Sequence, residues 1–463
     1  MECNKRNFVV VSIILASVIL MYEKGSKLSF QASSTTLYNP NKTNLSSSNF
    51  FTIQNVQPSL DMSSYILTDR DLQYKKRSQV VRHGCEKLRK MRNRKSSVSN
   101  LLVDTEHNIY YCPITKVSST FWKRILTVFS SKGRLKSPYD ITLRGVKLKQ
   151  TKIWRKNQIQ DWEENESFIF VREPYARLFS GYENKIYHPN KLFWRKIGAK
   201  IVNKYRNLTK KVEFGYDVTF PELVREIVDT HEKGGSINGH FALMSEHCNP
   251  CQTDFKYIGH LETIADDSEY LLTRWRHKFN DVTLKFNDLH KEAGYDTARG
   301  HVRDLFATHS IIPETFPFRN MMLRTWRDLQ MRGYISKYTE FPYTGDINNV
   351  TSEEFMQQIK DTISKAQNRT ALKLQRHEAL VQAYSQVPIK DMERLRQYLL
   401  PDCLLFGYDD RPAALFSRSK PLNVDFLYLD GLTSDTKKIT KNNNNKFSCL
   451  ITSESYCLCH YLE

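Results

Sequence analysis

Tyr110 to Phe129 reads YYCPITKVSSTFWKRILTVF, and Phe168 to Lys185 reads FIFVREPYARLFSGYENK. Both stretches run from an apolar strand-like segment through a short polar loop carrying a cation into an amphipathic helix. In the first, Asn108 to Cys112 is the strand, Pro113 to Ser119 the loop, and Thr120 to Ser130 a helix with Phe121, Ile125 and Val128 on its apolar side. A helix that begins right after such a loop aims free backbone N–H groups and the positive end of its dipole into the loop, which favours an anion there. Lys116, Ser119 and Thr120 add an ammonium and two hydroxyls to that cradle. In the second stretch, Ser167 to Val171 is a strand, Arg172 stands at its C-terminal end, and Ser180 follows two helical turns on. Two anion sites predict one ligand with two separated phosphates.

These residues carry a resemblance. The chain is similar to the Golgi carbohydrate sulfotransferases of the chondroitin/dermatan 4-O-sulfotransferase and HNK-1 sulfotransferase group, which use 3′-phosphoadenosine-5′-phosphosulfate (PAPS). That family's first loop, roughly PKVxxTxWKR, grips the 5′-phosphosulfate and is matched by Lys116, Val117, Thr120, Trp122, Lys123 and Arg124. Its second, roughly FVREPxxRLxSxYxxK, grips the 3′-phosphate and is matched by Phe170 to Pro174, Arg177, Leu178, Ser180, Tyr182 and Lys185. Two further blocks fit in order: Asn238 to Glu262, NGHFALMSEHCNPCQTDFKYIGHLE, and Leu395 to Tyr408, LRQYLLPDCLLFGY. Thr115 stands where the family usually has proline, Phe121 where asparagine is common, and Phe241 where tryptophan follows the histidine. Residues 276–385 have no clear counterpart and are either an insertion or a diverged acceptor-binding region.

The resemblance implies PAPS as co-substrate, with Lys116, Val117, Ser118, Ser119, Thr120, Trp122, Lys123, Arg172 and Ser180 as its binding residues and no metal. Sulfuryl transfer gathers charge on the leaving 5′-phosphate and the sulfuryl oxygens, so positioned cations and N–H groups carry most of the catalysis. Lys116 is the candidate for the leaving bridging oxygen. The acceptor is a sugar hydroxyl whose proton needs a base, and His240, in the third block, is the catalytic candidate. Glu262 and Glu173 are secondary, Glu173 more as a partner orienting Arg172. Arg177, Lys123, Arg124 and Lys185 are candidates for lining a cleft that takes an anionic polymer. Ser119 and Thr120 have a plainer reading as helix caps.

A formal charge of +19 on 463 residues points to a polyanionic partner, a glycosaminoglycan or nucleic acid. The N-terminus argues against nucleic acid. Lys5 and Arg6 precede the apolar run Phe8 to Tyr22, read as an uncleaved signal anchor, with a cleaved signal peptide as the alternative. The expected layout is a cytosolic tail at 1–7, a membrane anchor at 8–22, a luminal stem at 23–68, a catalytic domain at 69–410 and a poorly ordered tail at 411–463, in the Golgi membrane. Six sequons, at Asn41, Asn44, Asn165, Asn207, Asn349 and Asn368, fit a secretory route. Leu72 to Lys95 is a basic helix, either a solvated face or a contact for an anionic sugar chain.

Nine cysteines are present, eight of them beyond the anchor. Cys248-Asn-Pro-Cys251 fits a structural bridge better than zinc, which needs four ligands. The pairing stays open, as does the choice between bridge and buried thiol for Cys112. The repeated strand–loop–helix unit predicts a single α/β domain, a mainly parallel sheet flanked by helices and related to nucleotide-kinase P-loop folds. GxxxxGK[ST] is absent, which counts against an ordinary ATP or GTP enzyme. The expected function is sulfate transfer to the 4-hydroxyl of GalNAc in chondroitin or dermatan. The alternatives are another glycan, of HNK-1-type GlcA or terminal GalNAc kind, or a non-catalytic basic glycan-binding protein.

Overall fold

A computed structural model describes residues 69–90 and 99–429 apart from 132–133, 136, 142–144, 146–147, 280–287, 310, 312–315, 346, 348, 367 and 419–425. The chain divides into Met1–Tyr65 and Ile66–Glu463, and every described residue lies in the second unit. The expected tail, anchor and stem at 1–68 fall outside the described residues. Among those described, no helix is long and apolar enough to cross a membrane.

Five strands form one sheet in the order β3 (Lys149–Ile153), β1 (Ser99–Asp104), β2 (Ile109–Tyr111), β4 (Glu166–Val171), β5 (Tyr257–His260). The pairs β2–β4 and β4–β5 are parallel, whereas β1 runs antiparallel to both β2 and β3. The sheet is therefore mixed rather than mainly parallel, and its parallel half is the part built from the two repeated units. β1 joins β2 through a short turn, which permits only antiparallel pairing. Every residue of β4 is buried, as a central strand covered on both faces must be.

Helices α1 (Asp69–Lys90), α2 (Ser119–Phe129), α3 (Pro174–Tyr182), α4 (Phe220–Glu232) and α5 (Ile264–Phe279) belong to the expected catalytic segment. Beyond them come α6 (Leu289–His309), α7 (Phe318–Met331), α8 (Ser352–Lys365), α9 (Arg369–Ser385) and α10 (Ile389–Phe406). Three helices start within 352–400, and Pro388 directly precedes the last of them. Residues 289–365 pack around Trp326, Leu305 and Phe355 in an apolar cluster that also takes in Trp194 and Phe214.

The aromatic core of the sheet centres on Trp122, whose ring stacks on Phe170 at 4.8 Å and meets Phe168 at 4.9 Å and Trp275 at 6.1 Å. Gly259 on β5 makes room for this stack, since a Cβ there would come within 2.5 Å of the Phe170 ring. The expected poorly ordered tail is packed in part. Leu415, Phe416, Tyr428 and Leu429 are buried against α3, α9 and their neighbours, and the Tyr428 N–H donates to Gln382 Oε1 at 2.8 Å. Of the sequons, Asn207, Asn349 and Asn368 are exposed, whereas Asn165 is buried and donates from Nδ2 to the Gln160 carbonyl at 3.2 Å.

The CxxC cysteines diverge. Cys251 is bonded to Cys85 on α1 and Cys248 to Cys112 at the end of β2, while Cys403 is a buried free thiol. The Cys112–Cys248 bridge spans 136 residues of chain. On a chain-entropy model, a loop of that size stabilises the fold by roughly 4–5 kcal/mol. Replacing Cys112 and Cys248 by alanine should lower the unfolding free energy by roughly 2–5 kcal/mol in urea titration; an unchanged midpoint would show that the bridge contributes nothing.

Candidate active site

The C-terminal ends of β2, β4 and β5 open on one edge of the sheet, where ligands bind in open α/β folds. After β2, Lys116 (φ 66°) and Ser118 (φ 51°) both adopt the left-handed conformation that non-glycine residues rarely take. Such positions cost of order 1–3 kcal/mol and mark functional loops. Ser118 directly precedes α2, and no side chain caps that helix start. The first N–H groups of α2 thus remain available to an anion. Neither Ser119 nor Thr120 serves as the expected cap.

The second unit differs. Glu173 caps α3 with its own carboxylate, accepting from the N–H groups of Tyr175 at 3.0 Å and Ala176 at 2.6 Å. This helix start is already occupied by a negative charge, so the expected helix-terminal anion site there is replaced by the Arg172 guanidinium. Glu173 does not orient that guanidinium; burial pushes its carboxyl up to about 7. Arg172 is buried and donates from Nη1 to the Lys116 carbonyl at 3.3 Å, which places the two expected phosphate ligands side by side. Ser180 is buried in α3.

Asn238 to His247 forms the third wall. The Gly239 carbonyl accepts from Thr115 Oγ1 at 2.7 Å, His247 Nε2 at 2.7 Å and Arg177 Nη2 at 3.4 Å. Arg177 also donates from Nε to the Thr115 carbonyl at 3.0 Å and from Nη1 to the Ala242 carbonyl at 2.6 Å. It is a buried strut between the 113–118 loop and the His240 segment, not the cleft-lining cation expected from its charge. Gly181 lets that segment lie against α3, since a Cβ would come within 2.8 Å of Phe241 and 3.0 Å of the His240 carbonyl.

His240 shares its Nδ1 with Asn238 Oδ1 at 3.0 Å. Because that oxygen can only accept, Nδ1 carries the proton and Nε2 keeps its lone pair. The imidazole meets the Phe193 ring edge-on at 5.1 Å, and Lys185 Nζ lies 4.9 Å from the same ring. Burial first, then the charges of Lys185 and Lys116, push its pKa down to about 3. The neutral, proton-accepting form is therefore the resting form.

Cations outnumber acids here. Lys116 is held well below its ordinary value by burial and by Arg332, Lys185 and Arg172, with Glu183 as the opposing acid. Burial, and then Arg376, likewise weaken the hold of Arg172 on its proton. A bound polyanion would reverse these shifts. Glu262 accepts from the Glu173 N–H at 2.8 Å and from the Tyr408 hydroxyl at 2.9 Å, so its two oxygens tie the ends of β4 and β5 to the closing block. Both of its oxygens are thus engaged in structural hydrogen bonds.

The structure separates the remaining expected residues. The Trp122 ring is wholly enclosed in the aromatic core, which leaves no face for a nucleotide, and Val117 is fully buried beside it, able to offer only its backbone. Lys123 is half-buried, and burial lowers its pKa. Arg124 is buried and pairs with Asp296 on α6 at 2.8 Å. Sequence reasoning missed Asn238, Thr115, His247, Glu183 and Arg332. Asn238, two residues before the candidate base, was within reach of a sequence argument, whereas Arg332 carries no local signal.

His188, His301 and Asp328 form the buried cluster of potential ligand atoms found among the described residues. Its imidazoles stack face to face at 3.9 Å, and Asp328 already pairs with Arg332 at 2.8 Å and His301 at 2.8 Å. Parallel rings and an adjacent guanidinium suit a buried polar network better than a cation centre.

Residues 99–312 match the sequence profile of the sulfotransferase family. Carbohydrate sulfotransferase 8 of Homo sapiens is 30% identical over 234 residues, covering 48% of this chain and 54% of that protein. Carbohydrate sulfotransferase 11 of Rattus norvegicus is 33% identical over 187 residues, covering 38% and 53%. Carbohydrate sulfotransferase 14 of Danio rerio is 34% identical over 195 residues, covering 39% and 49%. The chain thus spans about half the length of the curated relatives it matches. No solved structure matches it.

Burial holds His188, His240, His247 and His260 neutral, with pKa values pushed below the ordinary histidine range. The unfolded chain binds more protons than the folded one once pH falls below about 6.5, so these groups lose stability on acidification. Glu173, raised in the fold, acts oppositely but is one group against these four and His290, whose pKa burial also lowers. The urea midpoint should therefore fall steadily between about pH 7 and pH 5, and a flat profile would contradict the burial of these imidazoles.

Proposed function

We propose that the protein is a carbohydrate sulfotransferase that moves the sulfuryl group of PAPS onto a glycan hydroxyl, a reading supported by the match of residues 99–312 to the sulfotransferase family. The carrying observation is the meeting of an uncapped helix start, the left-handed Lys116 and a cation-rich wall beside a neutral His240. PAPS supplies an activated sulfuryl group at the end of its 5′-phosphate and carries a separate 3′-phosphate. In this reading Lys116 and the first N–H groups of α2 stabilise charge on the 5′-phosphate as it leaves, and Arg172 binds the 3′-phosphate. Ser180, Ser118, Ser119 and Thr120 complete the polar lining. His240 Nε2 takes the acceptor hydroxyl proton. The imidazolium that forms beside Lys185 and Lys116 is tolerable only with the donor's negative charge nearby, which couples base action to donor occupancy.

The finer reading is transfer to the GalNAc 4-hydroxyl of chondroitin or dermatan by a Golgi-anchored enzyme with a luminal catalytic domain. The net charge of +19 supports an anionic polymer as acceptor. Radiolabelled sulfate transfer from PAPS onto a panel of desulfated glycosaminoglycans, with disaccharide analysis and a chelator present, tests both levels. Transfer confined to a different glycan would leave the donor chemistry and remove the acceptor.

Lys116→Ala should reduce turnover more than donor affinity, because its charge matters most as the leaving oxygen develops its own; Arg172→Ala should chiefly raise the Kd for the product nucleotide PAP. Calorimetry and single-turnover rates separate these, and unchanged turnover at saturation in Lys116→Ala would remove it from catalysis.

His240→Ala should leave PAP affinity and folding nearly intact while transfer falls by at least about 100-fold. Near-normal transfer by the folded variant would sink the base assignment.

A further inference from the structure

Arg332 sits just past α7, beyond the segment that matches the family profile, yet it reaches the site. Its Nε pairs with Asp328 at 2.8 Å and its Nη2 lies 3.6 Å from Glu183 Oε2, with only 14% of the side chain exposed. Asp328 is held in turn by His301 Nδ1 at 2.8 Å, and Asn184 Nδ2 meets the other nitrogen of that ring at 3.1 Å. Glu183 is buried at the start of the turn that follows α3, one residue from Asn184 and two from Lys185.

We infer that Arg332 is a positioning residue that occupies Glu183, so that this buried carboxylate does not capture the cations meant for the sulfate donor. The inference rests on the donor-site reading above. Glu183 acts electrostatically on both Lys116 and Arg172. A buried carboxylate without a partner attracts the cations around it, and Lys116 and Arg172 are among those that feel its charge. Arg332 meets that demand from a third side as an ion pair, with Nη2 at 3.6 Å and beyond hydrogen-bonding distance. Asp328 and His301 fix its guanidinium by a second contact, which gives the buried polar network at the base of α6 and α7 a role. The segment around α7, past the residues that match the family, thereby sets the free charge of the donor loops.

The prediction is a reciprocal rescue. In the full-length protein, Arg332→Met should weaken PAP binding by about tenfold or more, equivalent to about 1.4 kcal/mol. Glu183→Gln in the same chain should restore it, since the amide no longer competes for Lys116 or Arg172. A purely structural role for Arg332 would give a loss that Glu183→Gln does not repair. Calorimetry with PAP reads the affinities, and thermal unfolding checks that each variant is folded. If Arg332→Met does not fold, Glu183→Gln alone decides: affinity equal to or tighter than wild type supports the inference, and weaker affinity overturns it. Wild-type protein that fails to bind PAP would instead overturn the donor-site reading, so the two failures are distinguishable.

Discussion

One buried guanidinium holds the site together. Arg177 donates to the Thr115 and Ala242 carbonyls and reaches Gly239, joining the loop after β2 to the segment that carries His240 from within α3. Three stretches of chain that are remote in sequence acquire one fixed spacing because a planar fork of donors satisfies carbonyls on two of them from the third. Its charge has no carboxylate partner at hydrogen-bonding distance; carbonyl dipoles solvate it instead. Lysine could not make the same contacts, since a single ammonium cannot reach carbonyls on both segments in a plane. The closing block adds a second tie, with Tyr398 donating to the Phe241 carbonyl at 3.1 Å and Asp402 accepting from the Met244 N–H at 2.6 Å and the Ser245 N–H at 3.0 Å.

The two repeated units look alike as sequence and differ as electrostatics. One presents an open helix start with a lysine in a left-handed turn, and the other closes its helix start with Glu173 and offers a guanidinium instead. Such an arrangement distinguishes the two ends of a doubly charged ligand. The open N–H groups suit a centre whose charge changes during reaction, and the fixed fork suits a phosphate that only has to be held.

Much of this was legible in the chain. The strand–loop–helix units fell within a residue or so of β2–α2 and β4–α3, because apolar runs, proline and amphipathic periodicity all pointed the same way there. The antiparallel strands β1 and β3 were not identified: Ser99 to Asp104 is not followed by the cation loop and helix that mark the other two, and β3 is an exposed polar edge with no clean alternation. Lys116, Arg172 and His240 converge as their motifs suggested, whereas Trp122 and Arg177 show the limit of motif reading. A tryptophan or arginine in a binding motif can recur because the fold needs it, and only burial separates that from ligand contact. Arg332 was invisible for a different reason. Its relation to Glu183 is made by helix packing across a long stretch of chain, which leaves no pattern in the local sequence.

The two disulfides are nested, Cys112–Cys248 lying inside Cys85–Cys251 along the chain. Each bridge ties a late stretch of chain to an early one, across 166 and 136 residues. One four-residue motif, Cys248-Asn-Pro-Cys251, thus fastens the chain beside the His240 segment to two separate elements at once, to the end of β2 and to α1.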